Sequence, residues 1–263
     1  VAAADLESRL TVPVLVNEQG PFPFIVDTGS NRTVVSDVLA IQLGLTLAGP
    51  IKVQSATGPA TTDSVYLNSL SVGPRLITHI RAPVLKAKNL GALGMLGIDA
   101  VANQRIVLDF RRRSMSVTGS TRSENDPTAI TVQARSKYRQ LVLVDASVEG
   151  IPLYVVIDTG AEVTVGNLTL RETLARRRAA APAPVTVISV TGDSIVADLS
   201  MMPRVRLGGV QVNNLQIAYA DLYVFKQFGL RDKPSILLGM DTLRHFERVS
   251  VDFPAREVRF VLA

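Results

Sequence analysis

Phe24-Ile25-Val26-Asp27-Thr28-Gly29-Ser30 recurs as Val155-Val156-Ile157-Asp158-Thr159-Gly160-Ala161, 131 residues further on. At the same offset of 131, Leu10 meets Leu141, Pro21 meets Pro152, and Thr33-Val34 meets Thr164-Val165. The correspondence then drifts: Thr57-Gly58 meets Thr191-Gly192 at 134, and Gly73 meets Gly208 at 135. Met95-Leu96-Gly97-Ile98-Asp99 meets Leu237-Leu238-Gly239-Met240-Asp241 at 142, and Asp109-Phe110 meets Asp252-Phe253 at 143. An offset that only grows, and grows between matching blocks, marks two copies of one fold separated by loop insertions. The division read from this is a first lobe over 1–122, a linker over 123–138 and a second lobe over 139–263. Polar, turn-rich residues from Gly119 to Pro127 suit a linker.

Strand signals dominate both copies. Val12, Val14 and Val16 alternate ahead of Gly20-Pro21, and a continuous apolar run enters each Asp-Thr-Gly loop, as suits strands buried on both faces. Hairpins are predicted around Thr57-Gly58 and Thr191-Gly192. Short helices are predicted after Ser36, ending at Gly44, and after Asn167, running to about Arg178. Others are expected over 99–104, 241–246 and, as an insertion of the second copy, 222–228. The fold class is therefore all-β with short helices.

Bulk composition narrows the function. The 263 residues, 47% hydrophobic with net charge +5, describe a globular chain able to build a core. There is no cysteine, which excludes disulfides and cysteine-based zinc sites. His79 and His245 stand without a motif, so neither a metal site nor a Ser-His-Asp triad is expected. The runs Arg111-Arg112-Arg113 and Arg176-Arg177-Arg178 lack an aromatic platform and read as solvated ends, not as a nucleic-acid surface. No apolar run reaches the roughly 18 residues of a membrane span. The Val1-Ala2-Ala3-Ala4 start suits a mature form freed of a signal peptide, or a trimmed chain.

Two aspartates repeated in one apolar context point to a specific chemistry. Carboxyl groups about 3 Å apart cannot both ionise, so they share a proton. The ionised member can take a proton from water while the other protonates an amide carbonyl, which hydrolyses the amide with no covalent adduct. Asp27 and Asp158 are the expected catalytic pair. Gly29 and Gly160 would let each loop turn sharply, and the hydroxyls of Thr28 and Thr159 could tie one loop to the other. Ser30 can hydrogen-bond Asp27, whereas Ala161 offers Asp158 nothing. Asp27 is therefore expected to be the ionised member, with a pH optimum from mildly acidic to near neutral. Asp99 and Asp241 are expected to cap helices or pair with arginine, and Asp109 and Asp252 to be structural.

Asp27-Thr28-Gly29-Ser30 and Asp158-Thr159-Gly160-Ala161, each followed by an apolar-apolar-Gly block (Met95-Leu96-Gly97 and Leu237-Leu238-Gly239), resemble the aspartic peptidase superfamily. The short copies and the closing Gly-x-Asp are closer to retropepsins than to pepsin. From about residue 8 to 263 the chain resembles bacterial retropepsin-like proteases with two copies in one polypeptide. The resemblance implies a bilobal acid-protease fold: two homologous closed β-barrels with the active site between them. It further implies that the apolar-apolar-Gly block packs through the Asp loop, and that hairpins near 54–64 and 189–197 are flaps. Ala56, Thr57 and Gly58, with Val190, Thr191 and Gly192, are the flap-tip candidates. Pepsin-type enzymes carry one flap with a tyrosine; here each half has a candidate and neither tip has a tyrosine, which favours a two-flap cleft.

The expected substrate is an extended polypeptide bound in β-augmentation style, with apolar pockets walled by Val34, Val165, Met95 and Ala56. No cofactor, metal or nucleic acid is expected, and one chain should suffice as a monomer. Export to a bacterial periplasm follows from the resemblance and the Ala-rich start, with the cytoplasm left open. Two other readings stay open: a catalytically silent peptide-binding or regulatory module of the same fold, and a nucleic-acid binder acting through the arginine runs.

Overall fold

The computed structural model describes residues 10–120, 126–137, 140–175 and 183–263. The start of the chain, linker residues 121–125 and the run Arg176-Arg177-Arg178 lie outside the described residues. The first lobe comprises β1 (Val12–Val16), β2 (Gln19–Val26), β3 (Val34–Ser36), α1 (Asp37–Gln42), β4 (Leu47–Gln54), β5 (Pro59–Val72), β6 (Arg75–Leu85), α2 (Ala87–Leu90), β7 (Gly94–Leu96) and α3 (Ile98–Val101). Next come β8 (Gln104–Asp109), β9 (Ser114–Gly119) and β10 (Ala129–Lys137). The second lobe follows with β11 (Gln140–Leu143), β12 (Ala146–Val148), β13 (Ile151–Pro152), β14 (Tyr154–Ile157), β15 (Val165–Gly166) and α4 (Leu168–Ala175). It continues through β16 (Ala183–Ile188), β17 (Ser194–Leu207), β18 (Val210–Tyr219), α5 (Tyr223–Gln227), β19 (Ser235–Leu238), α6 (Met240–Leu243), β20 (Phe246–Asp252) and β21 (Glu257–Leu262). The class is all-β, and the lobes are two.

In the first lobe the order β1-β2-β7-β3-β6-β5 closes on itself, because β5 also pairs β1, and β4 hangs from β5 as a hairpin arm. The alternation read in Val12, Val14 and Val16 is the inward face of β1, each at 2% exposure or less. The second lobe repeats the order, with β19 between β14 and β15, β18 next, then β17, and β16 as the hairpin arm. Its counterpart of β1 is split at Val144-Asp145 into β11, paired with β14, and β12, paired with β17. Each Asp-bearing strand runs parallel to the apolar-apolar-Gly strand, β2 beside β7 and β14 beside β19.

A further sheet joins the halves in the order β10-β21-β20-β8-β9. Its central seam pairs β20 with β8, placing Val249 opposite Leu108 and Val251 opposite Ile106, all buried. Of the stretch 123–138 read as linker, 129–137 form β10, which pairs β21 and β11. Arg111-Arg112-Arg113 sits in the β8–β9 turn, with Arg111 paired to Glu247 at 3.3 Å and Arg112 near Asp109 at 4.0 Å. Among the described residues no helix is long and apolar enough to cross a membrane.

Two helix signals are realised with their caps, while the helices expected over 99–104 and 241–246 are single turns, Ile98–Val101 and Met240–Leu243, cut short where β8 and β20 begin. Ser36 Oγ accepts from Leu39 N at 3.1 Å, and Asn167 Oδ1 accepts from Leu170 N at 2.9 Å. The second-copy insertion is α5 with its flanks.

Asp241 accepts a first-turn amide of the helix it sits in, Thr242 N at 2.7 Å, as expected, but Asp99 and Asp241 share a larger task. Each clasps a threonine in the loop after the Asp-Thr-Gly turn. Asp99 Oδ1 accepts from Thr33 Oγ1 at 2.7 Å and from Thr33 N at 2.9 Å. Asp241 accepts from Thr164 Oγ1 at 2.6 Å and Thr164 N at 2.9 Å. The threonine oxygens in turn accept from Gly97 N and Gly239 N, at 3.2 and 3.0 Å. The clasp locks the apolar-apolar-Gly block against the Asp loop, so both carboxylates are loop fasteners. Asp241→Ala leaves the buried Thr164 amide without its acceptor, and it is expected to lower unfolding free energy by about 1–3 kcal/mol in urea titration.

Candidate active site

Each Asp loop is fixed from below by its own lobe and from the side by the other. Asp27 N donates to Leu96 O at 2.9 Å, and Asp158 N to Leu238 O at 3.0 Å. Ile98 N reaches Ser30 O and Met240 N reaches Ala161 O, both at 2.8 Å. Across the seam, Thr28 Oγ1 donates to Ile157 O and Thr159 Oγ1 to Val26 O, both at 2.6 Å. Each hydroxyl oxygen accepts the opposite amide: Thr159 N on Thr28 Oγ1 at 3.1 Å, Thr28 N on Thr159 Oγ1 at 3.2 Å. The two threonines are buried, so these bonds form away from competing water.

This grip brings Asp27 and Asp158 close enough for each carboxyl to act on the other's titration. The glycines make the approach possible. A Cβ on Gly29 would stand 2.7 Å from Asp158 Oδ2, and one on Gly160 would overlap the Asp27 carboxyl. Both loops turn sharply, with Ser30 N on Asp27 O at 3.3 Å and Ala161 N on Asp158 O at 3.4 Å, but neither glycine has a positive φ; what requires glycine is room for the opposite carboxyl. Gly97 and Gly239 are needed for the same kind of reason: a Cβ at either would strike the backbone of Arg32 or Val163. The apolar-apolar-Gly block therefore does pack through the Asp loop.

The hairpin tips cross the cleft. The tip of β4–β5 closes with Ser55 N on Gly58 O at 2.9 Å, and that of β16–β17 with Ser189 N on Asp193 O at 2.8 Å. Ala56 packs on a cluster made wholly of second-lobe residues, among them Val156, Val165, Leu237 and Phe225. Val190 packs on first-lobe residues, among them Ile25, Val34, Leu90 and Met95. Thr57 Oγ1 donates to Asp193 Oδ2 at 3.1 Å, which joins the tips to each other. The wall candidates Val34, Met95 and Val165 thus lie directly beneath the opposite hairpin's tip.

A family model described as aspartyl protease matches residues 12–100 and again 144–242. The chain belongs to the aspartyl protease family. Each matched segment holds one Asp-Thr-Gly loop and its apolar-apolar-Gly block, which is the pattern of a two-copy, retropepsin-like aspartic peptidase. Membership supports a peptide-bond hydrolase in general terms. No curated protein matches the chain.

The two aspartyl protease carboxyls act on each other. Burial raises both above the ordinary 3.8, and for Asp27 the charge of Asp158 adds to burial. Backbone amides favour both anions: Asp158 Oδ1 accepts Gly160 N at 3.1 Å and Ala161 N at 3.2 Å, and Asp27 Oδ1 accepts Gly29 N at 2.8 Å with the Ser30 amide beside it. Ser30 Oγ turns away and donates to Arg32 O at 3.1 Å, so it does not give Asp27 the bond expected from sequence. The pair titrates as a unit.

Asp193 and the Tyr223 amide were missed at the sequence level. Asp193 stands where the first copy has Pro59, so the repeat gives no signal there. The Thr–Asp clasps could have been found, because both partners recur in both copies.

Two outcomes follow from this geometry. Thr159→Val removes the Val26 and Thr28 bonds together, and should cost about 1–3 kcal/mol by chemical denaturation. A carboxyl with a raised folded pKa contributes stability that is whole below its unfolded pKa and is lost as pH climbs through the folded one. Asp27→Asn should therefore melt above the wild type at about pH 8, with the gap closing toward about pH 3. Calorimetry showing a constant offset across that range would contradict the raised pKa.

Proposed function

We propose that the chain is an aspartic endopeptidase that hydrolyses peptide bonds through a water held between Asp27 and Asp158. The observation that carries this is the meeting of two carboxyls from opposite lobes, each within 3 Å of where a Cβ on the other loop's glycine would stand, beneath two interlocked hairpin tips. The ionised Asp158 takes a proton from the water as its oxygen attacks the scissile carbonyl. Asp27 gives its proton to the carbonyl oxygen, which yields a tetrahedral gem-diol. Asp158 then gives its proton to the amide nitrogen while Asp27 takes one back from a gem-diol hydroxyl; the carbonyl re-forms as the C–N bond breaks, a carboxylic acid and an amine leave, and the dyad again holds one proton. Thr28, Gly29, Ser30, Thr159, Gly160 and Ala161 position the pair and touch no substrate in this scheme.

The substrate is an extended polypeptide whose backbone pairs with the hairpins Ala56-Thr57-Gly58 and Val190-Thr191-Gly192. The apolar residues Val34, Met95, Val165 and Ala56 favour hydrophobic side chains on both sides of the cut. Both carboxyls belong to one chain, so a monomer can complete the site.

Purified protein is expected to cleave denatured casein or a quenched peptide library, and Asp158→Asn to lower the rate by at least about 10³-fold while keeping the fold. The pH–rate profile should be a bell whose basic limb, set by the raised Asp27, lies above the ordinary carboxylate range. Peptide binding without cleavage anywhere across about pH 3–8 would make the chain a silent peptide-binding module instead.

A further inference from the structure

The two hairpin tips are not held alike. Val190 is seated on first-lobe apolar residues, and among the described residues the hydrogen bonds of 189–193 run within that tip, into its own hairpin and to Thr57. The first tip has an added backbone tie: Tyr223 N donates to Ala56 O at 2.8 Å. Tyr223 opens α5, where the helix leaves its first amides without internal partners. The insertion supplies that free donor at the point where Ala56 arrives.

The insertion is itself firmly anchored. Leu222, Phe225, Phe228 and Leu230 are all 4% exposed or less and make up much of the cluster under Ala56. Asn167 Nδ2 reaches the carbonyls of Leu230, Arg231 and Lys233 at 2.9, 3.2 and 2.6 Å, which binds the end of the insertion to the start of α4. The first copy has a shorter segment here, α2, ended by the left-handed Gly91. The repeat offset grows from 135 to 142 between Gly73 and Met95, so the added length belongs to the second copy alone.

We propose that the insertion carrying α5 is a strap that holds the first hairpin down across the cleft, so that the second hairpin is the moving gate. The mechanism is one-sided because, among the described residues, only the first tip meets an anchored amide donor. Release of Val190 requires parting an apolar contact and the Thr57–Asp193 bond. Release of Ala56 requires those same kinds of contact and the Tyr223 bond as well. The inference concerns opening of the cleft, so it stands apart from turnover and is testable on a catalytically silent chain.

The absence of cysteine makes the test clean, because one introduced thiol reports alone. Ala56→Cys and Val190→Cys, in the otherwise intact chain, are to be compared by rates of thiol labelling. The expected result is faster labelling at position 190. Tyr223→Pro removes only the amide donor within the backbone: proline is tolerated at a first helical position, and Leu222 at φ −76, ψ 136 is already in the conformation a following proline requires. In the Ala56→Cys background it should speed labelling about three- to tenfold, the worth of one backbone hydrogen bond. Tyr223→Ala, which keeps the amide and loses the ring, should not. Equal or reversed rates at 56 and 190 overturn the proposal, as does a Tyr223→Pro chain with native circular dichroism and unchanged labelling at 56.

Discussion

Across the seam between the lobes, the hydroxyl of Thr28 gives its proton to the Ile157 carbonyl and that of Thr159 to the Val26 carbonyl. Each oxygen then receives the other loop's amide, so four buried backbone groups are satisfied by two side chains. Two carboxyls held out of water and against each other repel once both are charged. Something must hold the loops together against that repulsion, and no apolar contact could fix the direction of approach so closely. The glycines that follow the threonines leave the space, the threonines supply the pull, and the aspartates are carried along.

Much of this was legible in the sequence because it is written twice. Asp-Thr-Gly, the apolar strand before it and the apolar-apolar-Gly block after it recur in order, and that order alone implies two lobes facing one another. Alternation in Val12, Val14 and Val16 gave the barrel's inward face. The bonding around the dyad was not legible. Ser30 is a donor of the right kind beside Asp27, but its hydroxyl serves the Arg32 carbonyl, and backbone amides reach both carboxyls instead. Composition cannot show which way a hydroxyl turns or where a main-chain amide points. The fastening role of Asp99 and Asp241 was hidden for a similar reason: their nearest elements in sequence are the helices they begin, while their partners lie 66 and 77 residues away.

The two copies have kept the parts that must be equivalent and changed those that need not be. Both retain the grip, the clasp and the glycines that admit the opposing carboxyl. They differ at the residue after Gly29 and Gly160, at Asp193 against Pro59, and in the segment before β7 and β19. The first of these differences lies in the Asp loops themselves, and the other two lie at or beneath the roof of the cleft. A twofold arrangement of framework thus carries an asymmetric working surface, a freedom that identical subunits related by strict symmetry do not have.

The pairing of β20 with β8 has a consequence for mass action. When a site is shared between separate subunits, the fraction assembled falls on dilution, since association competes with translational entropy. Here the two halves are strands of one sheet on one polypeptide, and their mutual concentration is set by the chain itself. The assembled dyad is therefore a unimolecular property, as fully formed in a trace of protein as in a concentrated solution.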